Sequence, residues 1–345
     1  MWVERYRDPG EFKIEAPFSS GLKDFLPIGT LISHADTLEV MIVENHHIQE
    51  AIDEDPKLTI TGRSFESYLE QRVLGYNEAR TSTTVAEISY ASGRSWDHAK
   101  KMVNDAIFTT ANDPQDRLPG VEADVWAEGD LLNTQPAVVR TFQRGPVHPE
   151  LVKLLAIDDF GIKTIRANYF EGTATANTQW IMHNGTDKSA SVMFTWVGGD
   201  ISQGEYLWSI KEQKNAALVV GRYVHTYVLR TQQEYDRRWM YVDGTYLDDF
   251  FSAAPTGATL TAVQNKMYQL GTDALRAQND INIARADISP GNRFKYRRDY
   301  NIGDLVTVNA NYQEIGKMRV VEYVETEDEN GEGGYPTLAI PGVDE

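Results

Sequence analysis

Between Trp239 and Phe250 the chain sets Asp243, Asp248 and Asp249 among Trp239, Tyr241, Tyr246 and Phe250. Carboxylates beside flat rings are the parts of a sugar site, because two carboxyl groups about 5–9 Å apart can cleave a glycosidic bond. With 51 acidic residues a pair of acids can always be found, so the segment is read as a half-buried strand with polar turn residues, and a glycan-binding or glycan-hydrolysing site is the alternative. A second cluster, Arg293, Lys295, Arg297 and Arg298, alternates with Phe294, Tyr296 and Tyr300. Cations interleaved with rings suit nucleic acid. However, 33 Lys+Arg against 51 Asp+Glu leave a formal charge of −18, and affinity for phosphates comes from neutralising them. The cluster is therefore read as a subunit contact against an acidic neighbour, where complementary charge fixes register. Exchange of Arg297 and Arg298 for Glu is expected to impair assembly.

Other catalytic templates fail on spacing. The seven histidines (34, 46, 47, 98, 148, 183, 225) never stand one helical turn apart with a Glu beside the first, as a zinc protease requires. His46 and His47 are adjacent, so on a strand they point to opposite faces and cannot share a metal. Asp328, Asn330 and Glu332 alternate before Gly333 like a calcium loop, yet the position of the bidentate Glu holds Ala339. Gly331, Gly333 and Gly334 are explained by turn geometry, and a solvated hairpin tip is expected. Gly198-Gly199 and Gly331–Gly334 lack the Lys-Ser/Thr helix start of a phosphate loop, and no Gly-x-Ser-x-Gly occurs. The absence of cysteine removes thiol catalysis, disulfides and Cys-ligated metals together. No catalytic residue, metal or cofactor is therefore expected.

The elements that would carry these groups follow from pattern. At 345 residues, 41% hydrophobic and 24% charged, the chain is long enough for two or three folded domains. The N-terminus lacks the apolar core of a signal peptide, and no apolar run approaches the roughly 20 residues that span a bilayer. Synthesis in the cytoplasm with no membrane span is expected. Alternation predicts short strands at 30–33, 38–44 and 58–61, followed by a helix from Phe65 capped by Ser64. Residues 81–110 read as mainly helical, most clearly where Trp96, Ala99, Met102, Val103, Ala106 and Ile107 share a face. Prolines and glycines over 117–149 predict a loop-rich crossing, with a domain boundary near 145. Strands are expected at 164–170, 191–197, 217–220 and 223–229, and a helix over 258–284. Further strands are expected at 294–296, 305–308, 317–324 and 336–340.

The two ends echo one another. Gly29-Thr30-Leu31-Ile32 before Glu39–Glu44 resembles Gly303-Asp304-Leu305-Val306 before Met318–Glu322, which suggests two similar small β-barrels flanking the middle of the chain. The expected class is α+β, mainly β. Its domains are an N-terminal barrel (1–75), a helical domain and crossing segment (76–145), a mixed α/β domain with aromatic strands and a long helix (146–290), and a C-terminal barrel (291–345) that strands from the middle of the chain can complete.

Trp2-Val3-Glu4-Arg5-Tyr6, Gly10-Glu11-Phe12, Glu39-Val40-Met41-Ile42-Val43-Glu44 and Ile60-Thr61-Gly62-Arg63-Ser64 resemble the N-terminal domain of a siphophage minor tail protein family whose members look like baseplate hubs. Asn215–Gly221 and Tyr300–Val308 also look like the family. The resemblance is strongest in 1–75 and 215–325 and weakest in 76–190. It implies a homotrimeric, non-enzymatic hub whose two barrels per subunit form a pseudo-six-fold ring at the distal end of the virion tail. The ring would join the tail tube and distal tail protein to the tail tip or receptor-binding proteins. Its lumen would pass the tape measure protein and then DNA, which is met only in transit. Acidity would then serve as a like-charge lining that keeps DNA from sticking. The chain stops at Glu345, just after the second barrel, so the peptidase or binding module that family members often append is not expected here.

Overall fold

The computed structural model describes residues 1–50, 52, 55–74, 87–107, 121–128, 137–166, 178–209, 214–230, 236–249, 251–277, 281–288, 293–310, 313–329 and 331–339. It is mainly β with a few helices. Strand Lys57–Ser64 shows why: Leu58, Ile60, Gly62 and Ser64 alternate inward while Lys57, Thr59, Thr61 and Arg63 face outward. It pairs antiparallel with Glu11–Pro17 on one side and Met41–Gln49 on the other, and Leu31–Ile32 closes that edge. Gly62 is required here, since a Cβ would fall within the Ile42 carbonyl.

The first strand, Trp2–Arg5, pairs both with Glu11–Phe12 and with Glu322–Glu325 of the long strand Gln313–Asp328. One sheet therefore joins the two ends of the chain, continuing through Leu305–Ala310 to the parallel edge strand Met193–Thr195, while Gly331–Ala339 also pairs with the long strand. Among the described residues this path runs from Met193–Thr195 to Leu31–Ile32 without closing into a barrel. It carries two cores. Trp2, Phe12, Met41, Val43, Leu58 and Ile60 pack at one end. Phe194, Tyr300, Val306, Val308, Met318 and Val320 pack at the other.

The echo is real in the backbone. Gly29 and Gly303 hold φ of 90° and 89°, in the left-handed region. Gly29 N–H donates to Val43 O and Val43 N–H to Thr30 O, at 2.8 and 2.9 Å. Gly303 N–H donates to Val320 O and Val320 N–H to Asp304 O, at 2.8 and 3.0 Å. Both copies then shift register by one residue, between Val43 and Asn45 and between Val320 and Glu322, where each pairs with the next strand. A strand–strand–strand unit is thus present twice.

Between the copies, helices Ser95–Ile107 and Val147–Ile157 pack on a core of Met102, Val103, Leu151, Leu154, Trp180 and Met182. Asp97 accepts the Arg94 N–H at 2.9 Å, which satisfies an otherwise orphaned donor at the first helix's start. Strands Val121–Glu128, Thr178–His183 and Gly161–Arg166 form one small sheet, and Glu87–Gly93 with Val138–Gln143 another. Helix Gly257–Ala277 lies on a sheet of Ala216–Val220, His225–Leu229 and Trp239–Asp243, with Val263 and Met267 buried against Val219. Gly271 permits this approach, because a Cβ would stand 2.8 Å from methyls of Val219 and Val228.

Several expectations are corrected. Phe65–Gln71 is a 3₁₀ helix, and Ser64 does not cap it; its hydroxyl accepts the Gly10 N–H instead, at 2.8 Å. Residues 87–93 are a strand rather than helix. The loop-rich crossing contains strands Val121–Glu128 and Val138–Gln143 and the start of a helix, with Pro146 just before that helix and Pro149 within its first turn, where a proline is tolerated. The long helix stops at Ala277, and Ile281–Ile288 pairs with Ile201–Ser209 as a strand. Phe294–Tyr296 belongs to a turn joined by the Tyr296–Tyr300 bridge. The expected helical segment 81–86, the crossing residues 117–120 and the strand end 167–170 lie outside the described residues.

Candidate functional site

The basic cluster divides. Arg297, with φ of 64°, turns inward, donating to Glu4 Oε1 at 2.7 Å and standing 3.0 Å from Glu325 Oε2. Tyr296 OH donates to the other oxygen of Glu4. Arg293, Lys295 and Arg298 stay exposed; Arg293 donates to Met193 O at 3.0 Å, beside the edge strand Met193–Thr195, and Arg298 pairs with Asp299 at 2.7 Å. Trp196 and Val197 follow that strand, Val197 being 91% exposed. At the other end of the sheet, beside Leu31–Ile32, Phe25 is 79% and Ile28 65% exposed, near the exposed acids Asp24 and Asp36. Among the described residues each end of the sheet has no further strand beside it and carries exposed apolar side chains; on Met193–Thr195 the outward Met193 O and the Thr195 N–H and C=O are already engaged by Arg293 and Asp200, whereas Leu31–Ile32 shows no such cover.

The aromatic–acidic segment also divides. Asp248 is fully buried and accepts three backbone N–H groups: Arg222 at 2.7, Tyr223 at 2.7 and Val224 at 2.9 Å. Gly221 leaves the space it occupies, since a Cβ there would meet Asp248 Oδ2 at 2.6 Å. Asp243 accepts the N–H and hydroxyl of Thr245, which lowers its pKa below the usual carboxylate range. A carboxyl held ionised is suited to accepting hydrogen bonds and not to protonating a leaving group. Asp249 pairs with Arg222 at 3.3 Å on the surface. Trp239 and Tyr241 do face solvent, and the register places Tyr227 and Tyr241 on either side of Leu218. Tyr246 packs in the core beneath, and Phe250 lies outside the described residues.

His46 and His47 turn to opposite sides, His46 meeting Leu26 O at 2.7 Å while His47 is exposed. The acidic tip turns between Asp328 and Gly331; Asn330 lies outside the described residues. Among the described residues no three carboxylate or histidine side chains gather as a metal set, and no helix is long and apolar enough to cross a membrane.

A cavity of about 490 Å³ lies where the first strand, the 36–39 segment, strands Gly161–Arg166 and Thr178–His183, and the 296–304 turn meet. Glu39 and His183 line it from buried positions. The only sequence signal was a Glu inside the apolar run Leu38–Val43.

The family model for siphovirus ReqiPepy6 Gp37-like proteins matches residues 1–337. The chain belongs to this family. No curated protein sequence matches it. In structure the family member here is similar to the tail protein from Neisseria meningitidis MC58, at 12% identity over 99% of this chain and 91% of that one, with a TM-score of 0.56. It is similar also to the 43 kDa tail protein of prophage MuSo2 from Shewanella oneidensis, at 12% identity over 99% and 94% of the two chains, with a TM-score of 0.52. Prophage tail protein gp18 from Listeria monocytogenes EGD-e matches at 10% identity over 98% and 86%, with a TM-score of 0.53. The chain therefore has the fold of phage tail proteins.

Proposed function

We propose that this family member is a structural tail hub of a siphophage: a homotrimer whose duplicated strand units form a ring at the distal end of the tail. The ring joins the tail tube and distal tail protein to the tip, and passes the tape measure protein and DNA. The observation that carries the reading is the duplication itself, with the same φ, hydrogen bonds and register shift in both copies, set on a sheet that among the described residues ends on Leu31–Ile32 with no further strand beside it. An open edge with apolar neighbours favours pairing with another chain. Head-to-tail contact between copies closes into a ring when the rotation allows. In such a ring each unit becomes part of a barrel wall.

Light scattering or native mass spectrometry of the purified chain tests this, with a three-subunit mass expected. Ile28→Glu and Val197→Glu each place a charge at one end of the sheet and are expected to give folded monomers. A wild-type chain that stays monomeric at every concentration, alone and with its tail partners, overturns the reading.

A second reading, sugar binding on the outer face of the three-stranded sheet, is favoured by the exposed rings of Tyr227, Trp239 and Tyr241. Retention on host-envelope polysaccharide that is lost in Trp239→Ala with Tyr241→Ala would support it. Equal retention of the variant would remove it.

A further inference from the structure

The cavity at the junction of the two sheet halves and the central module is walled by charged groups of unequal commitment. Glu4 is satisfied by Arg297 and Tyr296, and Asp304 by the N–H groups of Thr186 and Asn301 at 2.7 and 2.9 Å. Glu39 is only 7% exposed, and no hydrogen bond engages its carboxyl among the described residues. His183 is 3% exposed, packs edge-on against Tyr6, and its Nε2 has no hydrogen-bond partner. Buried polar groups are ordinarily paired, so a Glu39 carboxyl without a hydrogen bond among the described residues, on a cavity wall that also carries Lys163 and Arg297, leaves an acceptor site open to a ligand once it ionises. Protonated, the Glu39 carboxyl carries one O–H donor; ionised, it accepts hydrogen bonds only. Asp36 is exposed and also lines the cavity, so the space opens to solvent past a further carboxylate. A metal is a poor match, because no set of three ligands converges among the described residues.

We propose that this cavity binds a small organic cation, an ammonium or guanidinium group that donates hydrogen bonds to Glu39 and enters past Asp36. Its volume lies within the range of small-molecule sites. The charged groups facing Glu39 are Glu4, Glu66, Lys163 and Arg297; those facing His183 are Lys163 and Arg319. Burial and the two neighbouring glutamates raise the Glu39 carboxyl well above its usual range, so it enters the reaction protonated. Binding of a cation ionises it. The proton leaves to solvent, and affinity rises with pH.

Isothermal titration calorimetry with putrescine and with methylguanidinium, in buffers of different ionisation enthalpy near neutral pH, tests this. Saturable one-to-one binding is expected, with release of close to one proton per site. Glu39→Gln keeps the shape of the protonated side chain and is expected to weaken binding by about tenfold and abolish the proton release. Asp36→Asn, at the exposed mouth, is expected to weaken binding less and leave the release intact. Tighter binding of putrescine identifies a free polyamine as the ligand. Tighter binding of methylguanidinium identifies an arginine side chain from a neighbouring subunit. Absence of saturable heat with either probe at millimolar concentration, or binding and proton release unchanged in Glu39→Gln, overturns the proposal.

Discussion

Asp248 carries the turn that holds the three-stranded sheet under the long helix. Its carboxylate accepts three backbone N–H groups from consecutive residues and has no contact with solvent. Hydrogen bonds to a charged group contribute about 1.5–3 kcal/mol each, and losses that share one group do not add fully. Asp248→Ala strands three buried donors and is expected to cost about 4 kcal/mol, near the low end of that sum. At about 1.4 kcal/mol per decade, this shortens hydrogen-exchange protection of Arg222–Val224 by nearly three decades. Asp248→Asn keeps an oxygen where Oδ2 serves Tyr223 and Val224 and turns its NH₂ toward the Arg222 N–H. A loss of about one decade is expected there. Native-state exchange read by mass spectrometry suits a chain of this size, because it reports local opening without requiring the molecule to unfold in one step. Wild-type protection in Asp248→Ala would refute the argument.

Arg297→Glu places a carboxylate against Glu4 and Glu325 and is expected to destabilise the fold by about 3–5 kcal/mol, whereas Arg298→Glu leaves the thermal midpoint unchanged. Equal midpoints for the two variants would contradict the internal pairing. The echoed glycines separate backbone from packing: Gly29→Ala meets open space and costs about 1–2 kcal/mol from its left-handed φ alone. Gly303→Ala also drives a Cβ to 2.8 Å from the Tyr6 ring and is expected to cost more in the same denaturation series. Glu39 gives a pH signature. Its folded pKa is raised, so the unfolded chain releases the proton near the ordinary value of about 4.5 while the folded chain keeps it, and stability is lost as pH rises above that value. Glu39→Gln is therefore expected to gain in midpoint over wild type progressively above pH about 4.5; a gain independent of pH would count against burial of an ionisable group.

What could be read in advance depended on how local the cause was. Strands such as Lys57–Ser64 and the face of helix Ser95–Ile107 follow from side-chain period, and the Gly29–Gly303 echo survived as matching φ angles and hydrogen bonds. The strand Glu87–Gly93 was missed because its partner, Val138–Gln143, lies some fifty residues away across a stretch whose prolines suggested only loop. Joining the two ends in one sheet rests on pairing Trp2 with Glu325, which no local pattern reveals. The candidate residues illustrate the same limit. Composition grouped Asp243, Asp248 and Asp249 as equals, and only the fold distinguishes a turn acceptor, a buried anchor and a surface ion pair.

The pairing of Trp2–Arg5 with Glu322–Glu325 also constrains how the chain is made. Ribosomes add about 5–20 residues per second, so the first strand emerges roughly 15–65 seconds before its partner exists. During that interval the N-terminal half holds an unsatisfied strand edge while the central module is synthesised behind it. A vacant edge of this kind is a template for mispairing between nascent chains on one message. Completion of the sheet must wait for release of the C-terminal copy, and its loop closure spans almost the whole polypeptide, the slowest class of contact to form. Production yield should therefore respond to chaperone supply and translation rate more than to the intrinsic stability of either half.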